Sequence, residues 1–228
     1  MDARKQTQGS CRFCSRAMTR GGMARHLETC GERQKEIARA DARKASGEAM
    51  LHVQLEDASS GDYWLQLEMA GSAPLRSLDQ YLRAIWLECC GHKSQFVVGD
   101  PWRGKQISTN ARAARVLLRG TPVTHVYDFG TSSYTKIALV GRRSGNPLTK
   151  HPILLMARND PPEIRCMDCS QSAVVLCMEC VLDDDREGGL CESHARGHPH
   201  EAYGEALPVV NSPRLGMCGY TGPAEAPY

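Results

Sequence analysis

Short apolar runs separated by turn-forming residues fill the middle of the chain. Those at 50–55 and 63–69 read as strands joined across Ala58-Ser59-Ser60-Gly61-Asp62. Leu78, Leu82, Ile85, Trp86 and Cys89 then recur at helical spacing, which predicts the one main helix. Ser77 and Gln80 stand as a capping box at its start, and Gly91 closes it. Residues 96–98 and 106–108 flank a turn at Gly99-Asp100. The runs at 123–129 and 134–140 form a hairpin across Gly130-Thr131-Ser132-Ser133, and 153–157 adds a last strand before Asp160-Pro161-Pro162 breaks the pattern. Short strands around one helix predict an α+β fold with a small, largely antiparallel sheet.

The flanks follow a different rule. Between 32 and 49 the chain is Arg, Lys, Glu and Ala with hardly an apolar residue, a composition that favours helix but offers no face to bury. It reads as a solvated helical linker. Before it, Cys11-x2-Cys14-x11-His26-x3-Cys30 has the ligand pattern of a C2HC zinc finger. His26 and Cys30, at i and i+4, share one helix face, with Met23 and Leu27 packing beneath and Gly21-Gly22 turning the chain into the helix. After the core, Cys166, Cys169, Cys177, Cys180, Cys191, His194, His198 and His200 fall as C-x2-C, C-x2-C, C-x2-H and H-x-H. These four close pairs make two complete tetrahedral sites. The twelve ligands, at four per ion, predict three Zn2+ per chain, all structural. His198-x-His200 is the shortest step, and Cys218 or an Asp from 183–185 is an alternative to one of its members. The expected domains are a finger (1–31), a linker (32–49), an α+β core (50–159), a two-zinc module (160–205) and a tail packing on the core (206–228).

Composition narrows the class. Of 228 residues, 41% are hydrophobic, enough for a true core. No run approaches the roughly 18 apolar residues that span a membrane. The opening residues have no apolar signal stretch, so the expected compartment is the reducing cytoplasm, where eleven cysteines at such spacing mean metal rather than disulfides. The net charge of +2 conceals opposite ends. Residues 1–50 hold 11 Lys and Arg against 6 Asp and Glu (+5), residues 99–150 hold 9 against 2 (+7), and residues 160–205 hold 3 against 11 (−8). Arg12, Arg16, Arg20 and Arg25 surround the finger's ligands, which points to nucleic-acid phosphate. The acidic module points to protein.

The helix Leu78-Asp79-Gln80-Tyr81-Leu82-Arg83-Ala84-Ile85-Trp86, Gly91-His92 leading to Phe96, and Tyr127-Asp128-Phe129-Gly130 resemble the plasmid-pRiA open-reading-frame-three family, also known as insertion-element passenger proteins. The tail from Leu207-Pro208-Val209-Val210-Asn211-Ser212-Pro213-Arg214 to Cys218-Gly219-Tyr220-Thr221-Gly222 resembles a zinc-bearing branch of that family. The resemblance implies an α+β domain of no established biochemical activity. Thr131, Tyr134 and Lys136 depart from the commoner pattern after the Tyr-Asp-Phe-Gly block. The C-terminal ligand order resembles B-box-like, cross-braced modules. That likeness implies one site of Cys166, Cys169, Cys191 and His194, a second of Cys177, Cys180, His198 and His200, and a role in protein interaction.

Phosphate loops, Gly-x-Ser-x-Gly and His-Glu-x-x-His are absent, and no small-molecule substrate is evident. His92 beside Cys89 and Cys90 offers a fourth metal site, but adjacent cysteines at a helix end diverge, so Cys89 is expected to be buried on the helix stripe with His92 hydrogen-bonded beside it. Asp128 is expected to cap its hairpin. The reading is therefore a non-enzymatic, multi-zinc binding protein contacting nucleic acid and protein, in a mobile-element or defence setting. Two alternatives stand beside it: a nucleic-acid-processing enzyme with its site near His92 and Asp128, and a structural subunit of a complex.

Overall fold

Alternate residues of two long strands carry the core. β3 (Glu48–Asp57) and β4 (Trp64–Ala70) pair antiparallel, with Leu51 opposite Met69, Val53 opposite Leu67 and Leu55 opposite Leu65. Side chains alternate between the two faces of a strand, so these six share one face, and all are fully buried. The computed structural model describes residues 6–43, 47–199 and 202–228. Further strands are β1 (Gln8–Cys11), β2 (Ala17–Thr19), β5 (Ser94–Val98), β6 (Lys105–Ile107), β7 (Val123–Tyr127), β8 (Ser133–Gly145) and β9 (Ile153–Asn159). They complete a nine-stranded antiparallel sheet in the order β2-β1-β9-β4-β3-β8-β7-β5-β6. The fold is α+β with a large antiparallel sheet and few helices. The central segment alone would make a smaller sheet. It grows because β1, carrying the first cysteine, pairs with β9, setting Gly9 opposite Asn159 and Cys11 opposite Ala157.

α1 (Arg20–Thr29) and α2 (Gly31–Asp41) cover the polar face of β3 and β4, whereas α3 (Leu75–Leu82) lies on the apolar face. Its Leu75, Leu78, Tyr81 and Leu82 are buried, and a π-helical turn over Arg83–Leu87 also buries Ile85, Trp86 and Leu87. The expected capping box is not what starts this helix. It begins at Leu75, after Pro74, and its first amides reach a neighbouring loop: Leu75 N–H donates to Ala111 O (2.9 Å) and Arg76 N–H to Thr109 O (2.7 Å). Those bonds satisfy donors that a side-chain cap would otherwise serve. A short α4 (Ala113–Val116) follows that loop.

α2 is held by polar contacts that composition did not announce. Arg33 is buried and donates to Glu68 Oε2 (2.8 Å) and Leu27 O (2.7 Å), while Arg143 grips the same carboxylate at 2.7 and 3.0 Å. The Asn146 amide donates to Asp41 Oδ1 at 2.6 Å. The expected linker is thus a docked helix as far as Asp41. Residues 44–46 lie outside the described residues.

His52, beside this network, makes folding pH-sensitive. It is buried with Nε2 2.7 Å from Gln66 Oε1, and burial pulls its pKa from 6.5 to about 4, outweighing the hydrogen bond. Arg33 lowers it further, whereas Glu28 and Glu68 raise it. Because the unfolded chain takes up the proton first, this contribution is complete above pH 6.5 and is lost as pH falls towards 4. His52→Gln should therefore flatten the fall in unfolding free energy between pH 7 and 4.5 by about 2 kcal/mol. Urea titrations of both proteins at the two pH values check this; parallel pH profiles would refute it.

The C-terminal unit is a three-stranded sheet of β10 (Val175–Leu176), β11 (Gly189–Leu190) and β12 (Leu207–Pro208), in the order β11-β10-β12, with α5 (Met178–Leu182) and α6 (Glu192–Ala195). Its own apolar cluster holds Cys177, Cys180 and Leu190, with Met167, Val175 and Ala195 packed against it. Beyond β12 the tail returns to the large sheet. There Ser212 Oγ donates to Trp86 O (2.6 Å), and Arg214 is completely buried. Among the described residues, no helix is long and apolar enough to cross a membrane.

Candidate metal centres

Among the described residues, four Cys/His clusters could hold metal ions, each with its ligand atoms within 4.8 Å of one another. The first joins Cys11, Cys14, His26 and Cys30. A tight turn after β1 presents the first two: Ser15 N–H donates to Cys11 O, and Ser15 has a left-handed φ of 60°. α1 supplies His26, and Cys30 sits between α1 and α2. Cys14 Sγ lies 3.1 Å from His26 Nε2. Burial pushes the Cys11 thiol up to about 11, so a cation there would have to displace its proton. Met23 and Leu27, both fully buried, pack with Trp64 and Met156 beneath the cluster.

The basic residues around this finger divide. Arg12, Arg16 and Arg25 are exposed. Arg20 forms an ion pair with Glu56, which also lies 3.7 Å from Lys136. Its guanidinium is thus engaged within the fold.

In the C-terminal unit, Cys166, Cys169, Cys191 and His194 converge. Cys166 Sγ is 3.2 Å and Cys191 Sγ 3.5 Å from His194 Nδ1, and Cys169 is 3.8 Å from Cys191. Burial raises the Cys166 thiol, but amides of Cys191 and Asp168, then His194 and Cys169, bring it down to about 6. Cys177, Cys180 and His198 form the neighbouring cluster, with Cys180 Sγ 3.3 Å from His198 Nε2. His200, the expected fourth ligand, lies outside the described residues. Cys218, considered as its replacement, belongs elsewhere.

That place is the fourth cluster: Cys89, Cys90, His92 and Cys218. Here the expectation that adjacent cysteines diverge fails. The helical chain ends at Leu87, Glu88 is extended, and the bend through Cys89 and Cys90 continues into Gly91 at φ +78°. The left-handed glycine returns His92 towards Cys90, 2.9 Å away. Cys218 Sγ lies 3.5 Å from Cys90 and 3.4 Å from His92, and the Cys89 and Cys90 sulfurs are 3.7 Å apart. The Cys218 and Cys89 sulfurs push the Cys90 thiol up to about 12. The Cys89-Cys90-Gly91-His92 string offers a metal site that the sequence reading sets aside in favour of a buried Cys89, and that reading gives Cys218 only as an alternative ligand of the C-terminal module.

Asp128 caps its hairpin as expected, its Oδ1 accepting from Gly130 N–H at 2.9 Å with φ 65°. Its Oδ2 accepts from Arg214 Nη2 (2.6 Å) and lies 3.4 Å from His92 Nε2. Arg214 also donates to Thr131 O (2.9 Å) and Ser133 Oγ (3.0 Å).

The donor sets fit zinc. Tetrahedral bonds of about 2.3 Å to sulfur and 2.0–2.1 Å to nitrogen imply ligand separations near 3.8 Å for S···S and 3.6 Å for S···N. The sulfur–sulfur distances of 3.5–3.8 Å match, whereas the sulfur–nitrogen distances run from 2.9 to 3.5 Å, all inside theirs.

No family model and no curated protein matches the chain. A solved structure similar to it is a protein of unknown function, MM3350, from Methanosarcina mazei Go1, at 16% identity and a TM-score of 0.40, covering 47% of this chain and 67% of that one.

Proposed function

We propose that the protein is a non-enzymatic, zinc-ordered binding protein whose N-terminal finger contacts nucleic acid and whose acidic C-terminal module contacts protein. In this reading one Zn2+ sits among Cys11, Cys14, His26 and Cys30. A second is held by Cys166, Cys169, Cys191 and His194, and a third by Cys177, Cys180 and His198 with His200. Four protein ligands per ion leave no open position for a reacting water, which favours a structural role. The observation that carries the nucleic-acid contact is the exposure of Arg12, Arg16 and Arg25 on one small unit. Arg20 is removed from the contacting set by its pairing with Glu56. The opposite charge of residues 160–205, −8, supports assigning protein contact to that end. A mobile-element setting follows from the family resemblance alone.

Replacing Arg12, Arg16 and Arg25 together with Ala retains every ligand. The variant should keep its zinc, bind DNA or RNA more weakly, and lose about one unit of salt slope per phosphate contact removed. Filter or fluorescence titrations across a salt series measure both quantities. Salt-insensitive binding, or none, by the wild type would reject the reading. The 3.4 Å approach of His92 to Asp128 favours the enzymatic alternative. Against it, Arg214 and the Gly130 amide occupy the carboxylate, and His92 Nε2 faces two sulfurs. Turnover of the bound nucleic acid that His92→Gln abolishes would favour that alternative instead.

A further inference from the structure

The cluster of Cys89, Cys90, His92 and Cys218 unites two parts of the chain 128 residues apart, the bend after the π-helical turn and the C-terminal tail. Its separations of 3.4, 3.5 and 3.7 Å are those of ligands around one ion. The Cys90–His92 distance of 2.9 Å is short in the same sense as Cys14–His26 (3.1 Å) and Cys166–His194 (3.2 Å). A disulfide between Cys90 and Cys218 would need sulfurs about 2.05 Å apart.

The surroundings are those of a metal site. Three thiolates and a neutral imidazole around a dication leave one negative charge, and the buried Arg214 guanidinium donates from Nε to Cys89 Sγ at 3.4 Å. Tyr127 Oη lies 3.8 Å from the same sulfur. Such partners orient ligands and neutralise their charge. Cys218 holds a left-handed backbone, φ 52°, which disfavours a residue with a side chain and persists where the surroundings demand it. Here it turns the thiol towards the other three ligands.

We propose that Cys89, Cys90, His92 and Cys218 bind a fourth zinc ion, which staples the C-terminal tail to the α+β core. The site is closed by four protein ligands and is structural. It is independent of the three zinc ions assigned above, because none of its ligands is shared with them.

The test uses the full chain, purified with zinc under reducing conditions. Elemental analysis should give about one zinc per chain less in Cys218→Ser and in Cys90→Ser than in the wild type. Cys14→Ser serves as the comparison, because it alters the finger without touching this cluster. Alkylation followed by mass spectrometry needs no variant of uncertain folding. Cys89, Cys90 and Cys218 of the wild type should resist modification together, and in Cys218→Ser both Cys89 and Cys90 should react as free thiols. Limited proteolysis should then release the tail sooner. An unchanged zinc count in both variants would overturn the proposal, as would free-thiol reactivity of Cys90 and Cys218 in the zinc-loaded wild type.

Discussion

Replacing Cys177 with Ser is expected to unfold residues 160–205 while the nine-stranded sheet stays folded. The reason is the imbalance between the two cores. The large sheet buries three aliphatic pairs across β3 and β4 together with the whole inner face of α3. The C-terminal unit has a core of two cysteines and Leu190, with few partners, and its sheet strands are two residues long. Burying one large aliphatic side chain contributes only about 1.5–3 kcal/mol, far short of the entropy of ordering some forty residues. Zinc binding supplies on the order of 10 kcal/mol to a module of this kind. Cys177 also donates its amide to Gly188 O, so the ligand turn and the sheet are one piece. Limited proteolysis and amide exchange should show the module opened and β3, β4 and α3 still protected. Unchanged protection over residues 160–205 would mean that metal is not what holds this unit.

Arg214→Ala is expected to cost about 3–5 kcal/mol, the range for removing one partner of a buried ion pair. Arg214 has no exposed surface and serves Asp128, Thr131, Ser133 and Cys89 together, with its guanidinium 4.9 Å from the Tyr127 ring. The variant strands the Asp128 carboxylate, which Arg214 and the Gly130 amide together hold ionised against the cost of burial. Arg214→Lys should recover little, because an ammonium cannot span four acceptors in one plane. Urea unfolding gives the loss, and zinc content measured alongside separates a packing defect from loss of metal. A loss under about 1 kcal/mol would indicate that the tail is held chiefly by its other contacts, such as Ser212 with Trp86 and Asn211 with Asn159.

Most strands and the main helix were legible because their signal is local. Leu51, Val53 and Leu55 mark a face by alternation, and Leu78, Leu82 and Ile85 mark one by helical period. The start of that helix is not legible locally, because its amides are satisfied by Ala111 and Thr109, more than thirty residues away. The docking of α2 is hidden from local pattern for a related reason. Its anchor, Arg33, is a charged residue buried through Glu68 and Arg143, and no apolar stripe reveals it.

For the centres, the sequence by itself determined the short ligand steps. Cys11-x2-Cys14, His26-x3-Cys30, Cys166-x2-Cys169, Cys177-x2-Cys180 and Cys191-x2-His194 are each made within one turn of chain, so the local backbone suffices to bring each pair together. Only the tertiary structure decided which pairs meet, that the finger extends the large sheet through β1 and β9, and that Arg20 is engaged by Glu56. It also decided that Cys218 lies beside Cys90, and Arg214 beside Asp128 86 residues away. These contacts depend on sheet register and on the path of the tail over the core. Their energy comes from groups distant in sequence, so no local pattern of residues carries them.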